Sequence, residues 1–249
     1  MQNLISRLGQ NEVYNPKTQN CWPFKRSNDV RNGIPLKLSN MCGGFEFDFN
    51  GEKWKSSEVL YLCGEYSTGT DKELEIQKEL IAQPSGYASK RFIKAKYKDE
   101  VRNDFPEFRL QWMLFVVWQK CLGSENFRQL LGMFPSSSIL IEDTTTDTGG
   151  TASIWGCSNK ELTQVRKQRE NELNEWFSKT TGITKKEFRN IVSDEINQIQ
   201  EYGTWVGENN IGKILMICRD CLRNGTEPEI DYDLLRSKNI HILGKKLTF

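Results

Sequence analysis

Strict alternation of apolar and polar positions is clear in one place. Phe45, Phe47 and Phe49 alternate with Glu46 and Asp48, Asn50-Gly51 supplies a tight turn, and Glu52-Lys53-Trp54 can return, so a short β-hairpin is expected. Elsewhere the spacing is helical. Ser56-Ser57-Glu58 puts caps and an acid at a helix start whose apolar side is Val59, Leu60, Leu62, Cys63 and Tyr66. Asp71 to Ala82 reads as a second helix with Leu74, Leu80 and Ile81 inward, broken by Pro84-Ser85-Gly86 and followed by the basic stretch Lys90-Arg91-Phe92-Ile93-Lys94. From Phe108 to Leu122 the chain is apolar around nearly its whole circumference, as expected of a helix surrounded by others, with Lys120 near its end.

Glu125 to Phe134 continues as helix, and Ile139-Leu140-Ile141 leads into a polar loop at 142–156. Two capping boxes, Ser158 with Glu161 and Thr184 with Glu187, open helices reaching about Lys179 and Tyr202. Their apolar stripes are Leu162, Val165, Leu173 and Trp176 on one, and Phe188, Ile191, Val192, Ile196 and Ile199 on the other, so a docked helical hairpin is expected at about 157–205. Asn209 opens a last strong helix with Ile211, Ile214, Leu215, Cys218 and Leu222 inward and Asn224-Gly225 as its stop. Residues 1–35 read as irregular, and the tail from Pro228 carries little pattern. The expected class is mainly α, in one domain spanning 1–249.

Composition narrows the functions. With 37% hydrophobic and 27% charged residues, no apolar run approaches the roughly 18 residues a membrane-spanning helix needs. The start, Met1-Gln2-Asn3-Leu4-Ile5-Ser6-Arg7, lacks the features of a secretory signal, and seven scattered cysteines favour a reducing, cytoplasmic setting with no membrane role. Cys218 and Cys221 have CxxC spacing, but no second pair follows and the sole histidine, His241, is distant, so no metal is expected. A net charge of +1 gives no broad field for nucleic acid, so any such contact should be local.

Glu58, Lys120, Glu142, Asp143, Asp147, Trp155 and Asn209 are polar or aromatic residues at element ends, where function concentrates. The stretches LSNM (38–41), FNGEKWKSSEVLY (49–61), VRNDF (101–105), WMLFVVWQKC (112–121), LIEDTTTD (140–147), IWG (154–156) and NNIGKILMICRDCL (209–222) resemble, in order, the motifs of the NADAR (YbiA-like) family. The resemblance covers most of the chain. It implies a YbiA-like orthogonal helical bundle with a small β-hairpin, here with an inserted helical pair, and no cofactor. It also implies cleavage of N-glycosidic bonds, in phosphoribosylated riboflavin-pathway intermediates or in ADP-ribosylated substrates including guanine in DNA.

Carried onto this sequence, the resemblance implies catalytic roles for Glu58, Lys120, Glu142 and Asp147 and substrate contacts from Ser39, Asn40, Trp155, Gly156 and Asn209, with Lys25, Arg26, Lys90 and Arg91 available for phosphates. Breaking a ribose C1–N bond passes through an oxocarbenium-like state that carboxylates stabilise, and the departing base needs a proton from a poised acid. A neutral lysine offers another route through a Schiff base. Each residue also has a structural alternative: solvated charge for Lys90 and Arg91, core packing for Trp155, snorkelling for Lys120 and a helix-dipole contact for Glu58.

The chain departs from the family pattern in four places: the GGTAS segment lengthens the gap between Asp147 and Trp155, the helical pair replaces a short glycine-rich connection, Met41 stands where phenylalanine is usual, and Glu65 stands where many relatives have lysine. The last departure moves the candidate amine role to Lys120. The leading expectation is an ADP-ribosyl hydrolase acting on an ADP-ribosylated nucleotide or single-stranded DNA, with an ADP-ribosyltransferase toxin as its counterpart. The helical pair is expected to lie beside the pocket and widen it. A phosphoribosyl N-glycosidase and a non-catalytic module for NAD or ADP-ribose are the alternatives.

Overall fold

The computed structural model describes residues 4–25, 27–199 and 201–249. After a 3-10 turn at Leu4–Arg7 come four short strands, β1 (Glu12–Tyr14), β2 (Cys21–Phe24), β3 (Val30–Arg31) and β4 (Ile34–Pro35), then the hairpin β5 (Phe47–Phe49) and β6 (Glu52–Trp54). Helices α1 (Ser57–Gly64), α2 (Asp71–Ala82), α3 (Gly86–Lys96), α4 (Phe105–Gly123) and α5 (Glu125–Gly132) precede strand β7 (Ile139–Glu142). The one-turn α6 (Ala152–Trp155), the long α7 (Lys160–Ser178) and α8 (Lys185–Gln198), strand β8 (Trp205–Gly207), α9 (Asn210–Asn224), α10 (Tyr232–Ser237) and the pair β9 (His241–Ile242) and β10 (Lys245–Lys246) complete it. The fold is mainly helical, and no helix among the described residues is long and apolar enough to cross a membrane.

Helix α4 is the axis of the core. Phe108, Trp112, Leu114, Val116, Val117 and Cys121 are shielded from solvent on all its faces, with α1, α5, α9, α10 and β5 packed around it. Pro106 in its first turn needs no intrahelical donor. Gly64 lets α1 close on α4: a Cβ there would overlap the Trp112 indole, whose Nε1 donates to Tyr61 O at 3.1 Å.

The sequence expectations for the hairpin, α1, α2 and the capping box of α8 match the observed elements, with Thr184 and Glu187 exchanging both cap hydrogen bonds. Several others need correction. Residues 84–97 are not merely a break and a basic stretch. Ser85 accepts from Ala88 N at 3.2 Å and caps α3. In α2 the buried positions are Glu73, Ile76, Gln77 and Leu80, whereas Leu74 and Ile81 are half-buried. The cap of α7 is Asn159, one residue after Ser158, because the Asn159 carboxamide accepts from Leu162 N at 2.9 Å. The first 35 residues are only partly irregular, since β2 runs parallel to β7 with Phe24 opposite Glu142 and β1 pairs with β8. The tail is ordered as α10 and a strand pair, with Gln77 Nε2 donating to His241 O at 2.9 Å.

Helices α7 and α8 pack chiefly on each other, with Phe177 stacked on Phe188 at 4.1 Å. Their base rests on a second, smaller core of Tyr14, Cys21, Ile141, Cys157, Leu162 and Trp205.

Lys120 is fully enclosed on the α4 axis. Its Nζ has no hydrogen-bond partner and sits 3.8 Å from the Phe127 ring centroid and 5.3 Å from that of Phe45. Burial lowers its pKa to about 8, with only Cys121 and Cys42 opposing. A base whose folded value lies below its unfolded one destabilises the fold as it takes up its proton. That cost is absent above about 10.5, accrues as pH falls and is constant below about 8. Lys120→Met should therefore stabilise the protein by roughly 3 kcal/mol at pH 7 and by under about 1 kcal/mol at pH 10. Urea denaturation at the two pH values checks both numbers.

Candidate active site

Glu58 lies in the first turn of α1, nearly shielded from solvent. The N-terminus of α1 is held from outside the helix. Asn40 O accepts from Glu58 N at 3.1 Å, and Asn40 Oδ1 accepts from Ser57 Oγ at 2.9 Å. The Asn40 amide nitrogen in turn faces the Met113 sulfur at 3.0 Å. Asn40 therefore fixes the carboxylate's backbone, and Ser39 closes the preceding turn through Cys42 N to Ser39 O at 3.0 Å.

Helix α3 brings the counter-charge. Its first residue, Gly86, is packed so closely on α1 that a Cβ would lie 2.5 Å from Ser56 Oγ and 3.3 Å from Glu58 Cβ. One turn further on, Lys90 Nζ reaches Glu58 Oε1 at 3.2 Å. Attraction to Glu58, opposed by desolvation and reinforced by Glu142 and Asp147, raises the Lys90 pKa and keeps it an ammonium.

Glu142 arrives from the opposite side at the end of β7. Arg219, buried in α9, donates to Pro135 O at 2.9 Å and Ser138 O at 3.0 Å and fixes the turn that feeds the strand. Asn209 then spans the strand: its Nδ2 donates to Leu140 O at 2.8 Å and its Oδ1 accepts from Glu142 N at 3.2 Å. Asn209 caps α9 in the left-handed region at φ 51°, a conformation asparagine tolerates better than most residues. Gly156 permits the next contact, Cys157 N to Glu142 O at 2.8 Å, where a Cβ would overlap that oxygen.

Burial raises the Glu142 carboxyl to about 7; Lys90 and Lys25 pull against the rise, Glu58 and Asp147 add to it. Glu65, at the C-terminal end of α1, is also raised to about 7 by burial, with Glu58 adding and Lys90 and Lys94 opposing. Among the described residues, neither the Glu65 nor the Glu142 carboxylate has a hydrogen-bond or ion-pair partner. Two carboxyls able to hold or release a proton near neutrality thus flank a paired carboxylate and ammonium, an arrangement suited to acid–base work.

The remaining sequence candidates fall outside or at the rim of this cluster. Lys25 Nζ ties the following loop through Asp143 O (3.1 Å), Thr146 Oγ1 (2.8 Å) and Asp147 Oδ1 (3.2 Å), so it and Asp147 form a loop clamp whose charges reach the site. Trp155 packs edge-on against Tyr61 at 5.4 Å and is partly buried. Arg91 is exposed beside Tyr87, at 5.9 Å from its ring. Arg26 lies outside the described residues.

Lys120 is not brought to the carboxylates. Cys42 feels both the Lys120 and the Glu142 charge, whereas no carboxylate acts on Lys120. The amine the structure brings to Glu58 is that of Lys90. Asn209 is enclosed with both amide atoms engaged by β7, and Asn210, next in α9, spends its side chain on Ile154 O at 2.7 Å, Glu208 Oε2 at 2.8 Å and Gly9 N at 2.8 Å. The two asparagines that start α9 are thus committed to protein groups. The helical pair packs chiefly on itself, and its charges are not among those that shift Glu65, Glu142 or Lys90.

Sequence reasoning gave Glu65 no role in the site. A signal existed in its spacing: seven residues after Glu58, it returns to the same face of α1 two turns on. Two clefts, of about 230 Å³ between Pro16 and Arg31 and about 430 Å³ around Gln10 and Glu12, contain none of these groups. No family model matches the chain, and no curated protein matches it.

Asn209→Ala would leave Leu140 O and Glu142 N without partners in a buried setting. The expected cost is roughly 2–6 kcal/mol, at about 1–3 kcal/mol for each stranded group. Equilibrium urea denaturation measures it, and a cost below about 1 kcal/mol would show that the clamp does not hold the strand.

Proposed function

We propose that this chain is an N-glycosidase of the NADAR (YbiA-like) type that hydrolyses the bond between ADP-ribose and a modified base, with ADP-ribosylated guanine in DNA as the leading substrate. In that role it reverses the action of a DNA ADP-ribosyltransferase. The observation that carries the reading is the unpartnered Glu142 carboxyl, raised to about 7 by burial and acted on by both charges of the Glu58–Lys90 ion pair.

Glu142, half protonated near neutral pH, gives its proton to the departing nitrogen. The Glu58 carboxylate stabilises the positive charge that develops on the ribose as the C1–N bond breaks. Lys90 stays an ammonium, so it serves as counter-charge and phosphate ligand rather than as a nucleophile. Lys94, exposed one turn along α3, adds a second cation at the rim for the diphosphate.

The test is incubation of the protein with an ADP-ribosylated oligonucleotide and, separately, with a phosphoribosylamino compound, with products read by mass spectrometry. ADP-ribose is expected from the first. Ribose 5-phosphate from the second alone would make the chain a phosphoribosyl N-glycosidase, and tight ADP-ribose binding without turnover on either would make it a binding module. Glu142→Gln should lower kcat by about 10²–10⁴-fold. Wild-type kcat/KM should fall as pH rises above about 7, because the acid is then spent. Full activity in both Glu142→Gln and Glu58→Gln would refute the reading.

A further inference from the structure

We propose that the cleft between Pro16 and Arg31 is a guanine subsite, which takes a base neighbouring the modified one on the DNA strand. The inference rests on the N-glycosidase reading and adds a second point of contact with its substrate. About 230 Å³ is bounded by the turn at 15–20, the start of β2, Arg31 of β3 and Glu201 at the foot of the helical arm. At roughly 30 Å³ for each water displaced, that space equals about eight waters, the bulk of a bicyclic base rather than of a lone ion.

Bonds that fix the lining also decide which atoms it presents. Asn20 Oδ1 accepts from Trp22 Nε1 at 2.9 Å, and an indole N–H is a donor only, so the Asn20 amide keeps its Nδ2 donors free for a ligand. Asn20 O accepts from Ile139 N at 2.8 Å and ties the residue to β7. Gln19 Oε1 likewise accepts from Asn15 N at 2.6 Å and leaves Nε2. The Arg31 guanidinium lies over the Trp22 ring at 4.6 Å and gives Nη1 to Cys21 O, which leaves its Nε and Nη2 fork without a partner among the described residues. The lining is therefore rich in donors, with Pro16 as an apolar side. Its acceptor is Glu201, whose carboxylate lines the same cleft without an ion pair to Arg31 or Lys17 among the described residues. Tyr202 O, next in the chain, accepts from Asn159 Nδ2 at 2.8 Å and holds Glu201 in place.

A guanidinium and a carboxylate that share a cleft unpaired fit a ligand with one acceptor edge and one donor edge. Guanine has both in paired form: N7 and O6 accept from the Arg31 fork, and N1–H and the N2 amino group donate to Glu201. Adenine puts a donor beside its N7, and cytosine and thymine have no N7. The position suits a flanking base. In the β2·β7 pair Cys21 is opposite Ile139 and Phe24 opposite Glu142, so the cleft's edge is three residues from the level of Glu142. At roughly 3.3 Å for each residue that is about 10 Å, the length of about three stacked nucleotides of one strand. Lys17, on the exposed side of the cleft, is available to a phosphate of that strand.

Calorimetric titration of the whole chain with dGMP, dAMP, dCMP and TMP tests the cleft apart from any cleavage. dGMP is expected to bind about tenfold or more tightly than the other three, and saturating ADP-ribose should not displace it. dIMP lacks the N2 amino group and 7-deaza-dGMP lacks the N7 acceptor, so they probe Glu201 and Arg31 without a substitution. Each should lose about fivefold or more. Glu201→Ala, at an exposed position, should remove the preference for dGMP over dIMP and leave dAMP binding unchanged. On ADP-ribosylated oligonucleotides, guanine at one position within about three of the modified base should raise kcat/KM about fivefold or more through KM. Glu201→Ala should abolish that gain with kcat kept. Equal binding of the four nucleotides, or a dGMP preference untouched by both analogues and by Glu201→Ala, would overturn the subsite and leave the N-glycosidase reading standing. A dGMP preference with no effect of flanking guanine on cleavage would overturn the strand role. A chain that selects dGMP through Glu201 yet cleaves no N-glycosidic substrate overturns the enzyme reading and the strand role together.

Discussion

The arrangement of this molecule depends on one clamp, the Asn209 side chain spanning the backbone of β7. It joins the start of α9 to Leu140 and Glu142, and Gly212 allows the helix to approach so closely that a Cβ there would overlap Leu140 O. Helix α9 packs on α4 and α5, so the clamp transmits the position of the core to the strand that ends in Glu142. Helix α1, packed on α4, carries Glu58 and Glu65 from the same reference. The carboxylates converge because both supports are registered on α4.

That convergence is electrostatically costly. Buried acids are usually paired or hydrogen-bonded, and here Glu58 is paired while Glu65 and Glu142 are not. Their folded values lie above the unfolded ones, so they add stability in acid that is fully present below about 4.5 and is lost as pH rises to about 7. Lys120 imposes a cost of the opposite pH sense from elsewhere in the core. The chain retains three ionisable groups that apolar side chains of similar size would make cheaper, and two of them are acted on by the Glu58–Lys90 pair.

The regular helices were legible because their signals are local. Thr184 with Glu187 forms a complete capping box, and the apolar circumference of Phe108–Leu122 states that α4 is central. The parallel pair β2·β7 was not, because CWPF shows no alternation and its partner is remote in sequence. Helix α3 was obscured by Pro84 and Gly86, although the glycine serves packing against Ser56. Within the site, Glu58 and Glu142 could be named from the family resemblance and Lys90 from its place in a basic run. An amine on an apolar helix announces burial, but only the surrounding Phe45, Phe127 and Cys42 show that Lys120 is caged away from the acids. Glu65 was noted only as a departure from the family pattern, because its spacing from Glu58 does not by itself say that α3 packs on α1.

The helical pair α7 and α8 leaves and rejoins the body at points that are tied together. Asn159 Nδ2 donates to Tyr202 O at 2.8 Å, Ser158 bridges to Val206, and Gly203 is pressed against Asn159 and Glu161. With its two feet held side by side, the arm is a modular graft: shortening or exchanging it alters a closed loop, whose entropy changes only slowly with length. Evolution is therefore free to retool the arm while the acids stay in register, a freedom denied to the connection at 142–156, which is stitched to the body at nearly every turn.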